Sequence, residues 1–214
     1  MSQEKARSYI KASYLLHLRH GPFTEGEILN QVGRQGLADL LSGQFLAETV
    51  GDDGVRRFAL AAKGRSQITV VLAGGVYDVL HLGHLAALEE AKALGDALVV
   101  VVATDVTVEM LKGRKPLFPE TDRAALVAGL KPVDKAILGY EDVGFGFEQV
   151  LIEVMPDIVA FGYDQTNLEK TVREIIGQHN LTIRVVVLSK FDHEKYASST
   201  SVREKLSEQA QQRR

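Results

Sequence analysis

The chain has 214 residues, a net charge of −3 at pH 7 and no cysteine. These values exclude a disulfide scaffold, a thiolate metal site and a general electrostatic attraction to nucleic acid. No apolar run reaches the roughly 18 residues that span a bilayer, and the charged N-terminus does not read as a signal peptide. A cytoplasmic protein without membrane contact is therefore expected.

Residues 1–66 are predicted to form three helices and then two strands. Apolar residues from Ile10 to Leu18 recur at the helical period, and "GPF" ends that helix. Thr24 and Glu27 have the spacing of a capping box at the start of a second helix, and a leucine cluster at 37–41 predicts a third. The turn "GDDG" separates two strand-like runs.

This order resembles a small winged-helix domain, which raises the question of DNA binding. The segment has nine basic and seven acidic residues, and nine minus seven leaves a net charge of only +2. Arg34, Arg56 and Arg57 are the candidate contacts with DNA. Because the charge is so small, DNA binding is not favoured, and we expect an interaction surface that makes the protein a homodimer.

Residues 67–214 alternate between strand-like and helix-like runs. Five short runs, rich in β-branched residues, are predicted as parallel strands buried on both faces: "ITVVLAG", "ALVVVVAT", "DKAILG", "DIVAFG" and "TIRVVVL". Helices are predicted at about 84–95, 119–130, 146–155, 165–179 and 200–212. This pattern indicates a doubly wound, Rossmann-like α/β domain with a five-stranded parallel sheet.

Ligands of such sheets bind beyond the carboxyl ends of the strands, so the functional loops are expected at 74–84, 104–115, 139–145, 162–167 and 189–200. The first loop contains "GGVYDVLHLGH", in which His81 and His84 lie at a helix start after two glycines. A helix N-terminus attracts anions, and imidazoles there can donate hydrogen bonds to phosphate oxygens. No carboxylate has the spacing that would complete a zinc site, so no protein metal site is predicted.

The motif is similar to the HxGH motif of the cytidylyltransferase-like nucleotidyltransferases, and the likeness covers about 68–206. It implies that His81 and His84 bind a nucleoside triphosphate and stabilise the transition state at its α-phosphorus. The neighbouring nucleotide contacts it implies are Gly75, Val76, Tyr77, Leu82 and Gly83. Val76 departs from the threonine that is common in this motif, so a hydroxyl contact is lost.

Further stretches agree with this resemblance. In "LKGRKP", Lys112 matches a catalytic phosphate-binding lysine, and Lys115 is assigned to the substrate phosphate together with Arg123 and Lys131. The stretch "SSTSVREKL" is similar to an adenylyltransferase motif. It implies that Ser199, Thr200 and Arg203 bind the nucleotide phosphates at a helix start. Asp164, in "GYDQ", is expected to accept a hydrogen bond from ribose or base.

"LKGRKP", "LKPVDKAILG" and "GYDQ" resemble the archaeal FAD synthases in particular. The resemblance implies transfer of AMP from ATP to FMN, with Mg²⁺ on the triphosphate. Two alternatives stay open at this point. One is a CTP-dependent enzyme that acts on a phospho-alcohol such as glycerol 3-phosphate, and the other is a transcription regulator that senses a ligand.

Overall fold

The computed structural model describes residues 2–141 and 146–191 and divides the chain into two compact units, Met1–Thr69 and Val70–Arg214. In the first unit, helices α1 (Gln3–His20) and α2 (Glu25–Ser42) precede a short helix, α3 (Ala62–Arg65). Strands β1 (Phe23–Thr24), β2 (Leu46–Val50) and β3 (Arg56–Leu60) form an antiparallel sheet in the order β1-β3-β2.

Local sequence signals account for these elements. Thr24 and Glu27 form the predicted capping box, in which each side chain bonds to the other residue's backbone N–H. Gly33 has a φ of +69°, which breaks α2 into two helical segments in agreement with the predicted second and third helices. The predicted strand pair is present as β2 and β3, whereas β1 was not predicted.

The second unit is built on a parallel sheet in the order β6-β5-β4-β7-β8. Its strands are β4 (Val70–Gly75), β5 (Ala97–Val102), β6 (Lys135–Leu138), β7 (Ile158–Phe161) and β8 (Arg184–Val187). The chain starts at the centre, moves outward through β5 to β6, and then returns to β7 and β8. This is the doubly wound order, so the predicted fold class is confirmed for this unit.

Helices connect these strands along the chain. They are α4 (Leu82–Lys92), α5 (Asp105–Lys112), α6 (Glu120–Ala128), α7 (Gly146–Val154) and α8 (Thr166–Gln178). Helix α5 was not predicted, because residues 104–115 were interpreted as a loop. Thr104 caps its start and Gly113 ends it in the left-handed conformation.

The core of this unit lies around the two central strands. All six residues of β5 are buried, as are the first four of β4. Val71, Leu98 and Val100 belong to one apolar cluster with Leu88 and Ala91 of α4. Burial on both strand faces explains the unbroken apolar runs in the sequence, and it fixes the strand ends from which the site is built. None of the helices in the described ranges combines the length and apolar character that crossing a bilayer requires.

Candidate active site

A cavity of about 630 Å³ opens at the carboxyl edge of the parallel sheet. Its lining comes from the ends of all five strands and from the loops and helix starts that follow them. This volume is within the range of small-molecule sites, which runs from about 300 to 1,000 Å³. The structure therefore brings the predicted strand-end loops, as far as they are described, together around one cavity.

His81 and His84 lie side by side on this cavity, with stacked rings whose centroids are 3.8 Å apart. His81 is the N-cap of α4 and His84 lies in its first turn. The Nδ1 atoms of both rings are buried and have no hydrogen-bond partner among the described residues. A buried polar atom without a partner is costly, and a pair of such atoms on one cavity calls for a functional explanation.

The surroundings of both imidazoles favour the uncharged form. Burial is the main cause that lowers the pKa of His84 to about 4, with smaller contributions from repulsion by His81 in its protonated form and by Lys112, and burial lowers the pKa of His81. A neutral imidazole still carries one N–H. The pair can therefore offer hydrogen bonds to phosphate oxygens in a site that costs little to reorganise when charge builds.

Tyr77 packs against the histidine pair on the side of His84. Its φ of +53° is uncommon for a bulky residue, and its ring is buried 5.2 Å from that of His84. A Cβ on Gly75 would lie 2.9 Å from the Tyr77 ring. A side chain at position 75 would therefore collide with the Tyr77 ring. Packing against Tyr77 thus requires glycine at this position, whether or not a phosphate also approaches it. Burial also raises the pKa of the Tyr77 phenol, which stays protonated.

Asp78 connects the turn after β4 to residues 114–118, which we call the basic loop. This role was not predicted from the sequence. Its buried carboxylate accepts hydrogen bonds from the backbone N–H groups of Leu117 (2.5 Å) and Phe118 (3.3 Å). The Arg114 guanidinium lies 3.4 Å from its other oxygen. An acidic residue directly after the glycine-rich turn was the available signal. The consequence is that residues 114–118 are held against the cavity.

Lys112, the last residue of α5, lines the cavity and acts electrostatically on His84. Its position agrees with a role toward phosphate. Arg114 also lines the cavity, whereas the side chain of Lys115 is exposed and lies outside the described lining. The structure therefore brings Lys112 rather than Lys115 to the histidine pair.

The assignment of Arg123 to the substrate phosphate is corrected. Its side chain is completely buried, and the guanidinium donates to the carbonyls of Phe118 and Val76 and to the carboxylate of Asp105. Arg123 is not among the residues that line the cavity. Arg123 instead ties together the turn after β4, the basic loop and the start of α5.

The assignment of Lys131 is corrected as well. Lys131 is exposed and lies between α6 and β6, at the amino edge of the parallel sheet. The cavity opens at the opposite, carboxyl edge. Because parallel strands share one direction, a residue that precedes a strand lies far from the residues that follow the others.

The other predicted nucleotide contacts divide into two groups. Val76, Gly83 and Asp164 line the cavity with Gly75 and Tyr77, whereas the Leu82 side chain is 52% exposed outside the described lining. Only the backbone N–H of Leu82, at the start of α4, suits an anion. Ser199, Thr200, Arg203 and the helix predicted at 200–212 lie outside the described residues.

Gln165 is a second residue that the sequence reading missed. Its side-chain oxygen accepts from the backbone N–H of Gly162 at 2.7 Å, and its Nε2 donates to the carbonyl of Gly74 at 3.0 Å. This amide joins the ends of β7 and β4. Its place in "GYDQ", directly after a strand, was the signal that could have identified it.

Two of the three candidate DNA contacts form ion pairs within the first unit. Arg56 forms ion pairs with Glu48 at 2.7 Å and Glu25 at 3.1 Å, and Arg57 pairs with Asp53 at 2.6 Å. Arg34 is exposed. Phosphates would have to compete with these carboxylates for the two arginines, and weak DNA binding stays a prediction.

Comparison with known proteins identifies relatives of the second unit. Residues 72–205 match the family described as cytidylyltransferase-like. The FAD synthase of Thermoplasma acidophilum is 46% identical over 138 residues, which are 64% of this chain and 94% of that protein. The FAD synthase of Archaeoglobus profundus is 44% identical over 132 residues, which are 62% of this chain and 82% of that protein.

A solved structure agrees with these relatives in sequence and fold. It is described as a lipopolysaccharide core biosynthesis protein from Thermoplasma volcanium and is 46% identical. The match covers 58% of this chain and 99% of that one, with a TM-score of 0.54. The residues that match the family model, 72–205, include the whole described lining of the cavity.

Proposed function

The chain belongs to the cytidylyltransferase-like family of nucleotidyltransferases, and we propose that it transfers AMP from ATP to FMN, giving FAD and pyrophosphate. The observation that carries this proposal is the stacked histidine pair at the start of α4, with two buried Nδ1 atoms that have no partner among the described residues. The similarity of this chain to archaeal FAD synthases supports FMN as the acceptor.

The reaction is a direct displacement at phosphorus. An oxygen of the FMN phosphate attacks the α-phosphorus of ATP, a new P–O bond forms, and the bond to the β-phosphate oxygen breaks as pyrophosphate leaves. No covalent intermediate on the protein is required. Catalysis then consists of positioning the two phosphates and stabilising the charge that builds on the α-phosphoryl oxygens.

Each role is assigned to a residue of the cavity. The imidazole N–H groups of His81 and His84 donate to the α-phosphoryl oxygens, and the ammonium of Lys112 attracts the phosphates beside them. The first N–H groups and the dipole of α4 add favourable electrostatics for the triphosphate. Tyr77 and Asp78 act through others: Tyr77 holds the His84 ring, and Asp78 holds the basic loop.

Mg²⁺ is proposed as the metal, carried by the triphosphate. Among the described residues, no group of three or more histidine and carboxylate side chains could hold an ion. Mg²⁺ is commonly held by phosphate oxygens and water with one or two carboxylates, and the exposed Asp164 is the candidate carboxylate here. When bound, the ion neutralises charge on the phosphate oxygens.

A pyrophosphate-release assay with two nucleotides and two acceptors tests this function. ATP and CTP are each combined with FMN and with glycerol 3-phosphate, in the presence of Mg²⁺. We expect pyrophosphate and FAD from ATP with FMN, and much slower release from the other three combinations. A preference for CTP with glycerol 3-phosphate would assign the protein to the phospho-alcohol cytidylyltransferases instead.

A further inference from the structure

The cavity extends to two sides of the histidine pair, and most of its uncharged polar side chains lie on one of them. On the side of β5 and β6 it is lined by Leu111, Tyr140, Phe147 and Val150, which together we call the β6 wall. On the side of β7 and β8 the polar residues Asp164, Gln165, Asn167, Thr171 and Ser189 alternate with Tyr163, Leu168, Leu188 and Phe191. An enzyme that joins two different molecules at the centre of such a cavity can use one side for each.

The strand order indicates which molecule takes which side. In a doubly wound sheet the nucleotide lies at the point where the strand order reverses, which is between β4 and β7 here. Helix α4 starts beside this point and favours phosphates at its N-terminus. ATP is thus expected on the β7 side, which leaves the β6 wall for the acceptor.

The cations support the same division. Lys112 ends α5, the helix that follows β5, and Arg114 is held nearby by Asp78. Both line the same cavity as the histidines and the β6 wall, and Lys112 acts electrostatically on His84. An acceptor phosphate can therefore meet positive charge next to His84, while the rest of the acceptor extends toward β6.

The β6 wall presents aromatic and aliphatic surface to the cavity. Tyr140 is 42% exposed and Leu111 is 63% exposed, and Phe147 is half-buried in the first turn of α7. The Tyr140 hydroxyl donates to Glu153 at 2.9 Å, which orients the ring and, as the main cause, raises the pKa of the phenol. At Gly146 a Cβ would lie 3.2 Å from the Tyr140 carbonyl, so this glycine lets α7 start close to Tyr140.

We propose that Tyr140 and Phe147 form the subsite for the isoalloxazine ring of FMN, with its phosphate directed toward Lys112 and Arg114. This inference rests on the proposed function, because it takes FMN as the acceptor. Aromatic rings and exposed aliphatic surface attract a flat apolar ring system, by stacking and by removing apolar area from water. A glycerol phosphate would leave this surface uncovered, so the same residues select FMN over small phospho-alcohols.

The test measures KM for FMN and KM for ATP in matched leucine variants. Tyr140→Leu and Phe147→Leu remove one ring each from the β6 wall, and Tyr163→Leu makes an identical change on the β7 side of the cavity. We expect the first two to raise KM for FMN about fivefold to tenfold, the scale of one aromatic contact, with KM for ATP unchanged. Tyr163→Leu should leave KM for FMN unchanged, and Tyr140→Phe should stay within about twofold of wild type because it keeps the ring.

Ribitol 5-phosphate, which has the FMN phosphate and chain but no isoalloxazine, separates ring binding from a general loss of structure. As a competitive inhibitor it should bind the wild type and the two β6-wall variants equally well, while FMN binds the variants more weakly. An unchanged KM for FMN in both variants would overturn the subsite. An equal weakening of FMN, ribitol 5-phosphate and ATP would also overturn it. Failure of the wild type to make FAD from ATP and FMN would instead refute the proposed function.

Discussion

Replacing Arg123 with methionine should unfold the second unit more easily, without any direct effect on a ligand contact. Methionine fills similar space, but it leaves the carbonyls of Val76 and Phe118 without their donor. Each buried acceptor that loses its partner costs about 1–3 kcal/mol. The Asp105 carboxylate is 41% exposed and can turn to water, so it adds little. For the two carbonyls we therefore expect a loss of about 2–6 kcal/mol, which is large against a typical stability of about 5–15 kcal/mol.

The assay is urea unfolding followed by circular dichroism, and the transition that belongs to the second unit is the one that ATP shifts to higher urea. Lys131→Met is the matched control, because it removes an exposed cation from the same predicted pair. Its stability should stay within about 0.5 kcal/mol of wild type. Activity of Arg123→Met should fall as the turn and the basic loop loosen.

A different pattern would refute this reasoning. If the free energy of unfolding of Arg123→Met stays within about 1 kcal/mol of wild type but the variant binds FMN much more weakly, Arg123 contacts the substrate phosphate directly, as the sequence resemblance implies. If Lys131→Met has the larger effect on FMN, then the acceptor binds at the amino edge of the sheet, against the position of the cavity.

Three further predictions follow from the site and from the first unit. The folded-state pKa of His84, about 4, lies below its ordinary value of 6.5, so His84 contributes stability that is present above pH 6.5 and is lost as pH falls to 4. His84→Gln should remove up to about 3 kcal/mol of this pH dependence of the free energy of unfolding, measured in urea. An unchanged slope of that free energy against pH would contradict the burial of a neutral imidazole. Lys112→Ala should lower the rate of pyrophosphate release far more than Arg114→Ala, because the charge of Arg114 is partly neutralised by its ion pair with Asp78. Equally mild effects of the two variants would place Lys112 on a solvated face. Removing residues 1–66 should leave FAD synthesis largely intact, and it should change the mass in solution from that of a dimer to that of a monomer if this segment forms the dimer. Tight, salt-sensitive binding of the full chain to duplex DNA would indicate instead that Arg34, Arg56 and Arg57 contact a nucleic acid.

The elements that could be predicted are those whose pattern has one physical explanation. An unbroken run such as "ALVVVV" is too short for a typical helix and too apolar for a surface strand, so it indicates a strand that is buried on both faces. The capping box at Thr24 is equally specific, because two backbone donors need those two side chains. In contrast, the sequence does not predict α5 although Thr104 and Gly113 mark its ends, because eight residues after a strand are equally typical of a functional loop.

The candidate site was only partly predictable, because a cation in a sequence does not reveal which way it faces. Arg123 lies four residues before Val127, and both are buried on the same side of α6. The apolar neighbours at helical spacing indicated that side, but the charge was assigned to solvent or ligand. Lys131 could have been excluded from the sequence, since it precedes a predicted strand. Asp78 and Gln165 make tertiary contacts over 39 and 91 residues, so their places after strand ends mark them as candidates but do not identify their partners.

The most direct test of the central claim is FAD formation from ATP and FMN under single-turnover conditions, compared between wild type, His81→Ala and His84→Ala. The claim is that this histidine pair stabilises charge at the α-phosphorus. We predict that wild type produces FAD and pyrophosphate in equal amounts. Each variant should slow the step by about 10²–10³-fold, the scale for one lost transition-state donor, with a circular dichroism spectrum like that of wild type. Near-normal rates of FAD formation in both folded variants would contradict the claim.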